Sequence, residues 1–216
     1  MSKTKLECIV HTLPLGLGRL YEGILRKSSD VVKGRKLFSI VLAAARPLSL
    51  EELIVASKVG PLHRPGDSSD LEFDMESTIK TVCGLFLRVV DEKVYLVHQT
   101  ARQFLLGLKQ SSQEGWKHSF QLRDVRYDLA KICITYLLLF EYQKDNLEMP
   151  PVFGSSDIPE TVQHYADAYP FLDYAAAHWA THFRETQALA SESLAISTLD
   201  LYTTGNSRFE TWFQIF

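Results

Sequence analysis

The 216-residue sequence lacks the long apolar segments that mark membrane and secreted proteins. Its longest near-apolar run, Ile132 to Phe140, has nine residues, well short of the roughly 20 that cross a bilayer. The N-terminus, Met-Ser-Lys-Thr-Lys, has no stretch resembling the apolar part of a secretory signal. We therefore expect a cytoplasmic protein with no membrane partner.

Cysteine is scarce. The three residues Cys8, Cys83 and Cys133 are widely separated in the sequence, and this number and spacing give no disulfide framework. The pattern favours a reducing, intracellular setting.

The sequence also lacks the motifs of common enzyme classes. Gly16-Leu17-Gly18 is followed by Arg19-Leu20, so it has neither the third glycine of a dinucleotide loop nor the Gly-Lys-Ser/Thr of a phosphate loop. There is no Gly-x-Ser-x-Gly nucleophile elbow and no His-Glu-x-x-His zinc motif. We predict no catalytic residue and no cofactor of the chain's own, and hence no enzyme.

Two patterns suggest metal ligands without completing a site. Cys8-x-x-His11 is half of a metal motif, and His178 and His182 lie one helical turn apart. Zinc requires three or four ligands, and the sequence offers no obvious third. The alternative interpretation, which we favour, is two partly exposed histidines that flank a core-facing Trp179, and we predict no metal centre.

Net charge is small but unevenly distributed. The 23 basic and 26 acidic residues give −3, with +4 in residues 1–110 (16 basic, 12 acidic) and −7 in residues 111–216 (7 basic, 14 acidic). A slightly acidic chain is not typical of a nucleic-acid-binding protein. We expect two parts with different surfaces and no nucleic-acid partner.

The hydrophobic content, 46% with 11% aromatic, suffices for one large or two small domains with real cores. Apolar periodicity predicts helices over residues 15–28, 31–45 and 75–83. Ser49 and Glu52 form a capping box with Leu48 and Leu53 as a hydrophobic staple, so a further helix starts at residue 50. Residues 60–74, rich in Pro, Gly, Ser and Asp, indicate an exposed loop.

From Leu85 the pattern changes to β-forming residues. Two short runs, Leu85 to Val90 and Val94 to His98, are separated by Asp91-Glu92-Lys93, which predicts a hairpin. A helix resumes at residues 100–106. This order of elements is that of a winged helix, with a three-helix core closed by a two-stranded β-wing.

The second half of the chain is predicted to be helical. Residues 107–123 are polar and indicate a linker, whereas Val125 to Phe140 show the strongest helical periodicity and Phe171 to Phe183 form another apolar face. The aromatic stripe Phe209 to Phe216 must bury against the chain's own helices or against a partner. We therefore divide the chain into a leading helix (1–30), a winged helix (31–106), a linker (107–123) and a helical domain (124–216). The fold class is mainly α, a winged helix followed by an α-helical bundle or superhelical arm.

Several motifs in order carry a resemblance to a known family. They are Leu13-Pro14-x-Gly16-Leu17-x-x-Leu20-Tyr21, Ala43-Ala44-Ala45-Arg46-Pro47-Leu48-Ser49-Leu50-Glu51-Glu52-Leu53, Val94-Tyr95-Leu96-Val97-His98-Gln99-Thr100-Ala101-Arg102-Gln103-Phe104, Asp128 to Leu137 and Pro170 to Trp179. Over residues 13–183 the chain resembles the segment that follows the NACHT domain in fungal NLR-like signalling NTPases of the STAND class, often ahead of ankyrin or WD-type repeats. The same winged helix is commonly labelled after GPI inositol-deacylase.

The resemblance implies a role for one histidine. In the wider family a histidine of the winged helix contacts the phosphates of bound ADP and holds the resting state closed, and Val97-His98-Gln99 stands where that motif would. An imidazole N–H can donate to a phosphate oxygen. Gln99 replaces the usual acid, and the alternative is that His98 only caps the local backbone.

Two functions remain at this point. The resemblance implies a non-catalytic regulatory and interaction module that couples nucleotide state to assembly, with a protein partner or a nucleotide-binding domain in cis or in trans. Since the chain begins at Met1 and has no phosphate loop, we expect that the NTPase half is missing from it. The alternative is a DNA-binding winged-helix regulator, but residues 74–97 carry three basic and four acidic side chains, net −1, which is unfavourable for phosphate contacts. One basic cluster consists of Arg26, Lys27, Lys33, Arg35 and Lys36. We interpret it as a solvated helix face.

Overall fold

The computed structural model describes residues 15–60, 75–107, 115–139, 169–186 and 192–202. These residues are mainly helical and include one small antiparallel sheet. The helices are α1 (Leu15–Leu25), α2 (Val31–Ala43), α3 (Leu50–Lys58), α4 (Met75–Cys83), α5 (Gln99–Leu105), α6 (Leu122–Leu139), α7 (Leu172–Arg184) and α8 (Glu192–Tyr202). The strands are β1 (Leu48–Ser49), β2 (Leu87–Val90) and β3 (Lys93–Leu96), with a 3₁₀ turn at Gly84–Phe86.

The chain forms two compact units. One comprises Met1–Leu50 with Asp74–Val125, and the other comprises Glu51–Phe73 with Arg126–Phe216. The order α2, β1, α3, α4, β2, β3 is that of a winged helix, as the sequence predicts.

The first unit is built on an aromatic cluster. Phe38 of α2 and Phe86 of the 3₁₀ turn are both buried, with ring centroids 5.9 Å apart in an edge-to-face arrangement. Tyr21 of α1 and Phe104 of α5 pack against Phe86 at 4.8 and 6.1 Å. Aromatic pairs in such geometry contribute beyond the area they bury, so one cluster joins three helices to the start of the wing.

The sheet differs from the predicted two-stranded wing because it has three strands in the order β1-β3-β2. Strand β1 pairs antiparallel with β3 through Leu48 and Val94. Two residues are too few to show a period of two, so periodicity missed this strand. The hairpin prediction is confirmed: β2 and β3 are joined by Asp91 and Glu92, both with positive φ.

The described part of the predicted linker, residues 115–123, is packed rather than extended. Trp116 and Phe120 are buried, and their ring centroids lie 5.5 and 6.5 Å from that of Phe38. Phe120 also forms a parallel bridge with Leu106. The polar composition of this stretch concealed these two aromatic anchors, while the four-segment division itself stays a prediction.

The predicted helices are present with slightly different ends. Helix α1 ends at Leu25 rather than residue 28, and α2 ends at Ala43 ahead of Pro47. The amide of Lys33 donates to Asp30 Oδ1 at 2.9 Å, which caps α2. Helix α3 begins at Leu50, where the capping pattern placed it.

In the second unit, the predicted apolar face of α6 is buried at Leu129, Cys133, Tyr136 and Leu137. The ring of Tyr136 contacts Phe171, just ahead of α7, at 5.3 Å. Three sequence predictions lie outside the described residues: most of the 60–74 loop, the aromatic stripe at 209–216 and the Cys8–His11 half-site. No described helix has both the length and the apolar character needed to cross a bilayer.

The hairpin turn yields a stability prediction. Glu92 adopts φ 61°, a left-handed conformation that strains a residue with a Cβ atom but not glycine. We expect Glu92→Gly to raise the free energy of unfolding by about 0.5–1 kcal/mol, since the backbone bond from Leu50 N to Glu92 O (2.8 Å) is retained. Urea unfolding measures the change. The control, Lys93→Gly in β3, should destabilise the protein, and a loss of stability in Glu92→Gly would contradict the prediction.

Candidate regulatory surface around His98

His98 lies at the junction of β3 and α5, where it is the N-cap of α5. Its Nδ1 accepts a hydrogen bond from the amide of Thr100 at 3.1 Å. Because a backbone amide can only donate, Nδ1 of the capping ring carries no proton, and in the neutral ring the proton is on Nε2. The residue is exposed, and Nε2 has no hydrogen-bond partner among the described residues. Capping therefore leaves one ring nitrogen available as a donor.

The ring is held in place through Thr100. Thr100 Oγ1 lies 2.9 Å from His98 Nδ1 and 2.8 Å from the hydroxyl of Tyr21. Tyr21 belongs to α1, and its ring packs edge-to-face on Phe86 and Phe104. The orientation of an exposed imidazole is thus linked to the buried aromatic cluster.

Three exposed apolar side chains accompany this junction. Leu20, Leu85 and Val97 are 58%, 75% and 39% exposed. Leu20 and Leu85 adjoin Tyr21 and Phe86, whose rings are in contact, and Val97 adjoins His98. The amide of Val97 donates to the Phe86 carbonyl at 2.8 Å, which joins the backbone of these two segments. We refer to Leu20, Leu85, Val97 and His98 as the His98 surface.

Gly84 shapes this surface. It has φ +60°, and a Cβ there would approach Ile24 Cγ2 of α1 at 3.0 Å. Glycine meets both requirements because it adopts positive φ without strain and adds no side chain. The turn can therefore run close to α1 while Leu85 points to solvent. Single exposed apolar residues are ordinary, but several at one location are typical of an interaction site.

His178 and His182, the metal candidates, occupy a different setting. His182 is buried, and its Nε2 lies 3.0 Å from the hydroxyl of Tyr174. The interpretation of two partly exposed histidines is therefore wrong for His182, which shares the buried face with Trp179. Among the described residues, no three His, Cys, Asp or Glu side chains lie close enough to hold a metal ion.

The surroundings of His182 disfavour its charged form. Burial, the neighbouring His178 and the guanidinium of Arg126 lower the pKa of His182 to about 4. Arg126 Nε is paired with Glu185 at 2.9 Å. Among the described residues, none forms a hydrogen bond with the buried Nδ1 of His182. This histidine is neutral at pH 7.

The described cysteines are not reactive thiols. Cys83 and Cys133 are both free and buried, and burial raises the pKa of Cys83 to about 12 and that of Cys133 further. A nucleophilic cysteine needs a lowered pKa and access to solvent. No catalytic role was predicted for these cysteines from the sequence.

Comparison with known proteins finds a family model and two relatives that are similar to this chain. Residues 22–115 match the family described as GPI inositol-deacylase, winged helix domain. These residues are thus similar to the winged helix domain of that family. The match spans α2 to α5 with the sheet, and it includes His98 and the packed residue Gly115.

Two fungal relatives extend the comparison. The chain is 36% identical over 129 residues to the vegetative incompatibility protein HET-E-1 of Podospora anserina. This alignment covers 55% of the present chain and 9% of HET-E-1. The chain is 23% identical over 228 aligned positions to the azaphilone pigments biosynthesis cluster protein L of Monascus ruber, which covers the whole chain and 44% of that protein. The chain thus spans less than half the length of either. No solved structure matches it. The winged helix and HET-E-1 matches confirm the resemblance to the NACHT-associated family.

The basic cluster on the winged helix domain is partly engaged in packing. Arg35 lies 4.9 Å from the ring centroid of Trp116 and donates to the Gly115 carbonyl at 3.0 Å. Arg26 pairs with Glu22 at 3.6 Å. On α4, which lies in the 74–97 segment considered above for DNA contact, Lys80 pairs with Glu76 at 2.8 Å. Arg35 is therefore packed rather than solvated, whereas the pairs of Arg26 and Lys80 are exposed ion pairs.

Substitutions of His98 can distinguish its capping role, which uses Nδ1, from any role of Nε2. Asparagine is a good N-cap, whereas alanine is not. We expect His98→Ala to lower the free energy of unfolding by about 1 kcal/mol and His98→Asn to leave it within about 0.5 kcal/mol. Urea unfolding of the two variants measures this. Equal losses in both would contradict a capping role.

The buried His182 predicts an acid-dependent stability. Its pKa rises from about 4 in the folded chain to the ordinary 6.5 on unfolding, so the unfolded state takes up the proton first as the pH falls. The free energy of unfolding should therefore decrease from about pH 6.5 towards pH 4, by up to about 3 kcal/mol. His182→Gln removes this contribution, and urea unfolding across that range compares it with wild type. His178→Gln should weaken the pH dependence without removing it, because His178 is one of the groups that lower the pKa of His182. An identical pH profile for wild type and His182→Gln would refute the prediction.

Proposed function

We propose that this chain is a non-catalytic regulatory and protein-interaction module of a NACHT-type STAND signalling protein. In this proposal the His98 surface binds a nucleotide-binding domain, in cis or in trans, and couples its nucleotide state to assembly. The observation that supports it most directly is the combination at one junction of a free imidazole N–H with exposed Leu20, Leu85 and Val97.

The two kinds of group suit a contact with a nucleotide-loaded protein. Exposed leucine and valine side chains gain by leaving water when a partner covers them. The Nε2–H of His98 can donate to a phosphate oxygen, and its fixed cap removes the need to orient the ring on binding. The family resemblance and the likeness to HET-E-1 support this reading.

A DNA-binding role has less support. The charge of residues 74–97 is net −1, and Lys80 is already paired with Glu76. Binding to DNA depends on neutralising phosphates with free cations. A sequence-specific shift of a DNA duplex at low salt would favour this alternative over the module that we propose.

The decisive experiment is a binding measurement with a NACHT domain encoded in the same genome, loaded with ADP or with a non-hydrolysable ATP analogue. We expect Leu85→Asp to weaken binding to the ADP form at least about tenfold, which is about 1.4 kcal/mol. Val32→Asp is the matched control because Val32 is 81% exposed at the start of α2, away from the His98 surface in sequence and element.

His98→Asn then tests the histidine. Since asparagine retains the cap, we expect this variant to keep its stability yet to lose the preference for the ADP form over the ATP form. Binding that is unchanged in both Leu85→Asp and His98→Asn would contradict the proposal.

A further inference from the structure

The sheet of the winged helix domain has an open edge at β2. Its strand order is β1-β3-β2, so β2 is an outer strand, and no other described strand pairs with its outer side. The proposed function leaves this edge without a role. An unpaired strand edge presents backbone N–H and C=O groups to which another chain can bind. The outer edge of β2 is therefore a second candidate interaction site.

One backbone bond shows which groups of β2 face outward. The amide of Val97 donates to the Phe86 carbonyl, so Phe86 faces β3. Because backbone groups alternate in direction along an antiparallel strand, the N–H and C=O of Val89 and the C=O of Leu87 face the open side. The amide of Leu87 directly follows the 3₁₀ turn and is not counted, since the i→i+3 bonding of such a turn takes it up. No described residue bonds Val89 on this side.

The solvent face beside this edge carries two cations and an apolar side chain. Arg88, Val90 and Lys93 are exposed, and Lys93 lies opposite Val90 in the ladder. Arg88 and Val90 share a face because successive side chains of a strand alternate. Among the described residues, neither Arg88 nor Lys93 forms an ion pair. A carboxylate would complement this face, and Arg88 lies further than Val90 from the acidic Asp91-Glu92 turn.

A second copy of β2 is a poor occupant for this edge. A two-fold pairing centred on Arg88 sets this side chain directly opposite its own copy, and like charges in that position destabilise a pair of strands. The four-residue length of β2 and the charge within it are also features that limit pairing between identical edges. A different strand with a carboxylate opposite Arg88 instead gains a charge-assisted hydrogen bond.

We propose that the outer edge of β2 binds an extended segment of a partner protein as a fourth, antiparallel strand. The segment carries an acidic side chain opposite Arg88 and an apolar side chain opposite Val90. The antiparallel direction is that of both strand pairs in this sheet, and it requires the apolar residue to come two positions before the acidic one. This proposal does not depend on nucleotide sensing by His98.

A short peptide tests the backbone part of the proposal. The probe is acetyl-Thr-Val-Thr-Glu-Thr-amide, added to the full chain in a ¹⁵N NMR titration, and we expect saturable shifts along β2 that are largest at the amide of Val89. A methyl group on the amide nitrogen of the central Thr blocks its bond to the Val89 carbonyl and should weaken binding at least about fivefold. The matched control is a methyl group on the amide nitrogen of the peptide's Val, which points away from β2 and should weaken binding less than about twofold.

Charge is tested separately. A peptide with Gln in place of Glu should bind at least about threefold more weakly. Arg88→Gln should abolish this difference, while Arg184→Gln, which replaces an exposed arginine of α7, should retain it.

Several results would overturn the proposal. They are shifts that do not saturate, equal binding of the two methylated peptides, and a preference for the acidic peptide that survives Arg88→Gln. If Arg88 serves only to keep copies of the chain apart, Arg88→Gln will self-associate in analytical ultracentrifugation without any change in its affinity for the acidic peptide, which also contradicts the proposal.

Discussion

Much of the first unit depends on the contacts of Phe86. Its ring meets Tyr21, Phe38 and Phe104 at centroid distances of 4.8, 5.9 and 6.1 Å, so α1, α2 and α5 pack on a single side chain. Its carbonyl accepts a hydrogen bond from the amide of Val97, so the same residue also fixes the chain where it leaves β3. Buried aromatic groups in close packing tolerate little displacement. The position of the exposed junction around His98 is consequently set from inside the molecule.

In this arrangement the two ring nitrogens of His98 have different surroundings. Nδ1 is occupied in the cap and, through Thr100, is connected to Tyr21. Nε2 lies on the other side of the ring, where no described residue bonds it. The nitrogen that positions the ring is therefore different from the one that carries the proton in the neutral ring. The apolar side chains next to it lie on segments anchored by the same aromatic cluster.

The sequence was informative where a long period or a turn signal was present. The helices around Leu37 and Leu129 follow a period of 3.6 residues, and the Asp91-Glu92 turn between two β-forming runs predicted the hairpin. Strand β1 escaped prediction because pairing with β3, and not its own composition, makes Leu48 and Ser49 a strand. The burial of Trp116 was not predicted for a similar reason, because it depends on α2, which is distant in the sequence.

The candidate site was predictable only in part. A family motif pointed to His98, and the possibility that it caps the backbone could be stated from its place before a helix. The exposed leucine and valine side chains around it could not be recognised, because Leu20 lies on the periodic face of α1 and Leu85 in an apolar run, where the sequence pattern predicts burial. The burial of His182 is set by tertiary packing, which the sequence pattern of α7 alone does not show.

The bridge between Leu106 and Phe120 also bears on where this chain tolerates a change in length. Amides of Gly107 and Phe120 donate to the carbonyls of Phe120 and Leu105 at 2.9 and 3.1 Å, so the two ends of the intervening segment are fastened to each other. The entropic cost of closing a loop grows only slowly with its length. Because Trp116 is packed on Phe38, we expect insertions between residues 107 and 115 to be tolerated better than insertions between residues 116 and 120.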